Sequence, residues 1–256
     1  MEAMASDAVC PKCEGSGFII IERGGISGAE PCDCRAQGRT ARLQDRSQIP
    51  ALYQNASFDN FDSMGDKSLK ETMDTVAKYA LRLDPLQTEP PLGLLLIGGP
   101  GTGKTHLAVA ALRRIMAMWS RQCLFCDYQN LLDRIRSGYD ASSNSADKEA
   151  YRDAQDADVL LLDDLGAHRV TDWVQDTITS IITYRCNNRK PLIATSNLPE
   201  PEIGISSAKK TESGTVYGRS LAEHIGERAR SRLFEMCKVV RMPNNNDYRI
   251  RKGKLF

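Results

Sequence analysis

At 256 residues the chain is long enough for one substantial core and a small appendage, and 41% hydrophobic with 26% charged residues is the balance of a globular protein. Thirty-four Lys and Arg against 33 Asp and Glu leave a net charge of +1, which excludes a generally polycationic nucleic-acid binder; any such surface must be a local patch. No apolar run reaches membrane-spanning length, no basic-then-apolar leader opens the chain, and eight cysteines without one point to a reducing, cytoplasmic setting.

Near the N-terminus, CPKCEGSGFIIIERGGISGAEPCDC sets Cys10, Cys13, Cys32 and Cys34 in C-x2-C-x18-C-x-C spacing. GFIIIER, a GGISG turn and a return strand predict a hairpin that brings both pairs together, and four thiolates suit a tetrahedral, structural Zn2+. Such a site supplies on the order of 10 kcal/mol of folding energy, enough to hold a module too small for its own core. Cys123, Cys126, Cys186 and Cys237 read as packing residues. RAQGRTARLQDRSQIP predicts a short helix ending before Pro50, and the aromatic segment YQNASFDNFDS follows. Residues 66–83 place Leu69, Met73, Val76, Ala77 and Ala80 on one helical stripe, and the proline-rich DPLQTEPP ends the region. The expected division is 1–45 as a zinc-binding, partner-binding module, 46–91 as a linker with a lead-in helix, and 92–256 as the core.

From residue 92, short apolar strands alternate with helices: LGLLLIG, CLFCDY, DVLLLDD, PLIATSN and KVVRM. Continuous apolar strands are buried on both faces, so the expectation is an α/β domain with a five-stranded parallel sheet. Fourteen residues follow Met242, too few for a helical lid domain. The first strand runs into Gly98, Gly99, Pro100, Gly101, Thr102, Gly103, Lys104 and Thr105, a phosphate-binding loop of the form G-x-x-x-x-G-K-T opening a helix. Glycines let backbone N–H groups close around phosphate oxygens, Lys104 should reach the β/γ-phosphates of ATP, and the Thr105 hydroxyl should hold Mg2+. His106, next in the helix, reads as a packing or capping residue. DVLLLDDLG ends a strand in Asp163 and Asp164, at the sheet end where ligands bind. Two adjacent carboxylates need a cation, so Asp163 is expected in the Mg2+ shell and Asp164 beside the attacking water. Residues 220–237, treated as one helix, put Leu221, Ala222, Ile225, Ala229, Leu233 and Met236 on an apolar stripe. Arg228 and Arg232 lie on its margin, and Arg230 faces the other way, toward solvent or an anion.

Together GGPGTGKTHLA, LLLDDLGAHRVTDWVQDTITSIITYRCNNRKPLIATSNLP and GERARSRLFEM resemble the DnaC/DnaI helicase loaders and the IstB-type transposition ATPases, AAA+ proteins of the initiator clade, over residues 50–256. The resemblance implies a sheet in which the Asn197 strand lies between the phosphate-loop strand and the aspartate strand, making Asn197 the first sensor. It implies Phe58 near the adenine, Arg249 of DYR as the loaders' tail arginine, and residues 128–157 as a helical insertion with a surface for single-stranded DNA. Arg232 matches the arginine finger given to the next subunit's ATP, although whether Arg230 or Arg232 reaches across stays open; such a finger is worth about 10³–10⁵ in rate. ATP-dependent self-association and a replicative hexameric helicase as partner follow. DnaI-type loaders carry a zinc-bearing N-terminal module and IstB-type proteins begin with a helical segment, so the cysteines favour a loader; a transposase-assisting ATPase and an ATP-binding adaptor with little turnover are the alternatives.

Overall fold

The computed structural model describes residues 10–23, 26–63, 65–83, 92–138, 145–200, 208–211, 214–217, 220–243 and 248. The prediction of turn residues 24–25, the loop 84–91, the linker 139–144 and Arg249 lie outside that set.

β1 (Phe18–Arg23) and β2 (Ile26–Pro31) pair antiparallel, as the spacing predicts, with Phe18 opposite Pro31. α1 (Asp33–Arg46) begins earlier than expected, so that Cys32 is its N-cap and Cys34 lies in its first turn. It ends in Ser47, whose carbonyl accepts from Phe125 N–H at 2.8 Å on the outer strand of the main sheet. A single 3-10 turn, Ala51–Tyr53, leads to α2 (Lys67–Arg82). The Asp66 carboxylate caps α2 by accepting from Ser68 and Leu69 N–H, at 2.8 and 3.1 Å.

Five parallel strands form the main sheet: β3 (Gly93–Ile97), β4 (Cys123–Asp127), β5 (Val159–Asp163), β6 (Leu192–Ser196) and β9 (Cys237–Arg241). Their order is β4-β5-β6-β3-β9, which sets the Asn197 strand between the phosphate-loop and aspartate strands, as the resemblance implies. β3 shows why apolar runs mark such strands. Leu95 and Ile97 face α4 (Tyr128–Ser137), α5 (Ser145–Asp156) and α6 (Asp172–Asn187); Leu94 and Leu96 face α2 and α3 (Lys104–Trp119). An antiparallel hairpin, β7 (Ala208–Thr211) and β8 (Gly214–Tyr217), follows β6 and has no apolar alternation that would reveal it in the sequence.

The single helix expected over 220–237 is two. α7 (Leu221–Ile225) and α8 (Glu227–Met236) meet at Gly226, whose φ of 86° and ψ of 148° no helix accommodates. A Ser220–Glu223 capping box starts α7. The stripe survives the break because Leu221, Ile225, Ala229, Leu233 and Met236 are all buried in the same core cluster.

One buried cation organises the far end of the sheet. Arg185 of α6 has no exposed surface and donates to the carbonyls of Ala154, Gln155 and Ala157, each at 3.0 Å, and also to that of Pro191. It satisfies the last turn of α5, where the helix dipole favours a cation, and ties that turn to the start of β6. Burial pulls its pKa down to about 10, so it stays charged at neutral pH. Arg185→Ala should cost at least about 3 kcal/mol, a fall in Tm of roughly 6–12 °C in thermal unfolding, because four buried carbonyls lose their donor.

Candidate functional site

The loop after β3 folds as the glycine spacing demands. Gly103 has φ of 91°, and a Cβ there would sit 2.7 Å from the Phe61 ring, so both backbone and space require glycine. Lys104, only 6% exposed, turns back over the loop; its ammonium donates to Gly98 O at 2.9 Å, Gly99 O at 2.7 Å and Asn197 Oδ1 at 2.6 Å. All three acceptors are formally neutral, so an anionic phosphate oxygen would be the stronger partner.

Across the sheet the aspartates are held by a residue that the sequence reading passed over. Thr195 Oγ1 donates to Asp163 Oδ1 at 2.7 Å and accepts from Asp164 N–H at 2.9 Å, and Thr195 O accepts from Leu165 N–H at 2.7 Å. Thr105 Oγ1 donates to the same Asp163 carboxylate at 2.9 and 3.1 Å, which brings the two expected Mg2+ ligands together. Asp164 adopts a left-handed φ of 57°, turning its carboxylate away from Asp163 and onto Asn197 Nδ2, which donates to Asp164 Oδ1. Lys104, Asn197 and Asp164 therefore form one hydrogen-bonded chain. Burial pushes the Asp163 carboxyl above the ordinary carboxylate range, the hydroxyls of Thr195 and Thr105 oppose that, and the Asp164 charge adds to it. A buried carboxyl costly to ionise alone, beside a threonine hydroxyl, is the donor set a hard divalent cation stabilises. The only sequence signal for Thr195 was a polar residue closing an apolar strand.

The aromatic segment packs on the loop helix. His106 Nε2 lies 2.9 Å from Ser57 O and its ring is 5.4 Å from that of Phe61, while Arg113 donates to Ala56 O at 2.6 Å. His106, which the sequence groups with the ATP-binding loop and reads as a packing or capping residue, packs here on the aromatic segment. Phe58 is half-buried against this face of the core, and Phe61, another aromatic of the segment, touches the loop itself. Tyr248 N–H donates to Gly101 O at 3.2 Å.

The arginines separate. Arg228 is exposed. Arg232 pairs with Glu235 at 2.6 Å on the surface, and that contact raises its pKa. Arg230 does not face solvent: it forms a two-pronged ion pair with buried Glu200, which the sequence reading did not anticipate because the partners are 30 residues apart. In the insertion, Arg134 donates to Gln48 Oε1 at 3.1 Å and Arg136 lies over the Trp173 ring.

The four cysteines converge. Cys10 and Cys32 Sγ lie 3.8 Å apart, Cys13 and Cys34 3.4 Å, and all four sulfurs are within 4.8 Å of one another. Zn–S bonds of about 2.3 Å set tetrahedral sulfur separations near ~3.8 Å. Hydrogen bonding with Cys13 and Cys32 pushes the Cys34 thiol up to about 12. For Cys13 burial opposes ionisation, but hydrogen bonds from Cys34 and the Gly17 and Gly15 amides prevail and bring it down to about 7. The cluster ionises unevenly by itself, and a divalent cation removes the conflict. The residues fit a metal.

A parallel sheet of this order, with the phosphate loop on one central strand and paired aspartates one strand removed, defines an AAA+-type nucleotide-binding domain. The chain belongs to the IstB-like ATP binding protein family, whose profile matches residues 34–254. It is 26% identical to the phage-like element PBSX protein XkdC of Bacillus subtilis (strain 168), covering 92% of this chain and 82% of that one. The replicative helicase loader DnaC of Buchnera aphidicola subsp. Acyrthosiphon pisum (strain APS) is 27% identical over 61% of each chain, so less than two thirds of that relative is spanned. A crystal structure of the DnaC helicase loader superposes with a TM-score of 0.60 and 29% identity, over 76% of this chain and 100% of the other. Among the described residues no helix is long and apolar enough to cross a membrane.

Thr195→Val removes the hydroxyl that favours ionised Asp163, so the carboxyl's pKa rises further while the metal still requires the ionised form. Mg-nucleotide affinity, measured by calorimetric titration, should fall relative to the unaltered protein, and the difference should widen as pH is lowered. In both proteins binding weakens as pH drops through the Asp163 pKa, and in the variant this loss begins at higher pH.

Proposed function

We propose that the protein is an ATP-dependent loader of a replicative DNA helicase, working as an assembly in which each ATP site is shared by two subunits. The observation that carries this reading is the overlay with a DnaC helicase loader along that structure's whole length, at 29% identity, on a chain whose N-terminal cysteines form a cluster fit for a metal. Residues 1–45 would be the helicase-gripping module, 46–91 the linker, and 92–256 the ATPase core. Cys10, Cys13, Cys32 and Cys34 would hold the zinc, which supplies the cross-link for a hairpin with few buried residues.

In the ATP site, Thr105 and Asp163 would hold the magnesium ion, which neutralises developing phosphate charge. The amides of Gly98–Thr105 surround the phosphates, and Lys104 exchanges its carbonyl partners for phosphate oxygens. Asp164 orients the attacking water, with Asn197 fixing the Asp164 carboxylate and reporting on the terminal phosphate through its link to Lys104. Phe58 and Arg249 would lie beside the nucleotide. Arg232 would leave Glu235, an exposed ion pair of little net worth, for the neighbour's ATP. Single-stranded DNA would run along the assembly over the insertion at 128–157.

The family's own description favours one second reading, an IstB-type ATPase that assists a transposase. Immobilised full-length protein should capture a hexameric helicase from its source cells, and Cys10→Ser should lose both the zinc, counted by atomic absorption, and the capture. Recovery of a transposase instead would favour the second reading. For the shared site, Arg232→Ala and Lys104→Ala subunits are each nearly inactive alone, and mixing them should restore ATPase activity at mixed interfaces; no restoration would refute sharing.

A further inference from the structure

Glu200 is 2% exposed and lies three residues beyond Asn197. Arg230 of α8 meets it with both prongs: Nη2 donates to Oε1 at 2.7 Å and Nε to Oε2 at 3.1 Å. The guanidinium also lies 4.7 Å over the Phe234 ring, one turn further along the same helix. This is a planar, doubly bonded and nearly dry ion pair, the most directional contact two side chains can make.

The segment between the sensor and the pair is stiff. Leu198 N–H donates to Ser196 Oγ at 3.2 Å, and the Leu198 side chain occupies the space that a side chain at Gly166 would need. Pro199 is buried with its φ constrained by its ring, and its carbonyl accepts from Leu221 N–H at 3.2 Å. A shift of Asn197 therefore carries to Glu200 without being absorbed between them. On the helix, Arg228 and Arg232 are each two residues from Arg230, which turns them about 200° away from it. The pair thus clamps the inner side of α8, while the outer side holds the cations offered to a neighbour. The apolar stripe of Ala229, Leu233 and Met236 would leave the helix free to rotate or slide; a two-pronged contact sets one register.

We propose that Arg230 and Glu200 are positioning residues that couple the nucleotide sensor of one subunit to the arginines it presents to the next, and that Arg230 is not itself the cation placed on the neighbour's ATP. This rests on the shared-site reading and deepens it. ATP bound in a subunit fixes Asn197, Asn197 fixes Glu200, and Glu200 sets the angle of α8, so an occupied site prepares the adjoining one.

The test uses mixed assemblies. Arg232→Ala subunits bind ATP but give no finger; Asp164→Asn subunits keep an oxygen to accept from Asn197, hold ATP without cleaving it, and give a finger. Into the finger-giving subunit one adds Arg230→Lys, which keeps the charge beside Glu200 and loses the fork, or Glu200→Gln, which breaks the pair from the other side and carries the test should the first variant fold poorly. The expected result is a loss in kcat of tenfold or more relative to the Asp164→Asn donor, with KM within about twofold, because the ATP that is cleaved is bound by the Arg232→Ala partner, which is the same in every mixture. Equal activity with and without the added substitution would overturn this proposal alone. A defect confined to KM would also overturn it. Absence of activity with the Asp164→Asn donor itself would overturn the shared-site reading, and this proposal with it.

Discussion

The insertion of β6 between β3 and β5 is the constraint on which the site depends. Parallel strands about 4.8 Å apart bring their carboxyl ends level, so the ends of three neighbours can touch one another's side chains. With β6 in the middle, Thr195 reaches sideways to both aspartates and Asn197 reaches Lys104 on one side and Asp164 on the other. Had the chain laid β5 directly beside β3, the aspartates would meet the phosphate loop without a sensor between them. The crossover helices enforce the order: α3 covers one face of the sheet and α6 the other, each burying an apolar stripe.

Five buried or half-buried charges are handled differently, and the differences follow their tasks. Arg185 is surrounded by carbonyls, which accept from both of its terminal nitrogens without a carboxylate to pull it aside, and it serves the fold. Arg230 and Glu200 neutralise one another fully, which suits a fixed joint. Lys104 donates to two loop carbonyls and to Asn197, and Asp163 accepts from the hydroxyls of Thr105 and Thr195, contacts that a ligand's own charge would outcompete or reinforce.

The N-terminal hairpin solves a different problem. Phe18 and Ile20 are exposed, so the strands have little core to share, and Cys13, Gly17 and Cys32 are the buried residues among those described in that region. Four converging sulfurs take the place of an apolar interior. Because α1 begins at Cys32 and ends against the outer strand β4, the cysteine cluster joins the core through a continuous helix.

Much of the fold and the centre of the site were legible in the sequence. The five apolar runs, the glycine spacing before Lys104, the paired aspartates and the cysteine spacing each follow local rules of backbone freedom, burial on two faces or ligand chemistry, which act over a few residues and leave their mark there. The break at Gly226 was visible only as a glycine, since a single glycine inside an apolar period is compatible with either outcome. Thr195, Arg185, the contact of Phe61 with the loop and the Glu200–Arg230 pair were not legible, because each gains its role from partners between 30 and 45 residues away or from backbone carbonyls, which no side-chain pattern announces. The sequence by itself determined which strands form and what binds at their ends; the tertiary structure alone decided which side chains meet there, since contact across a sheet depends on strand order and register.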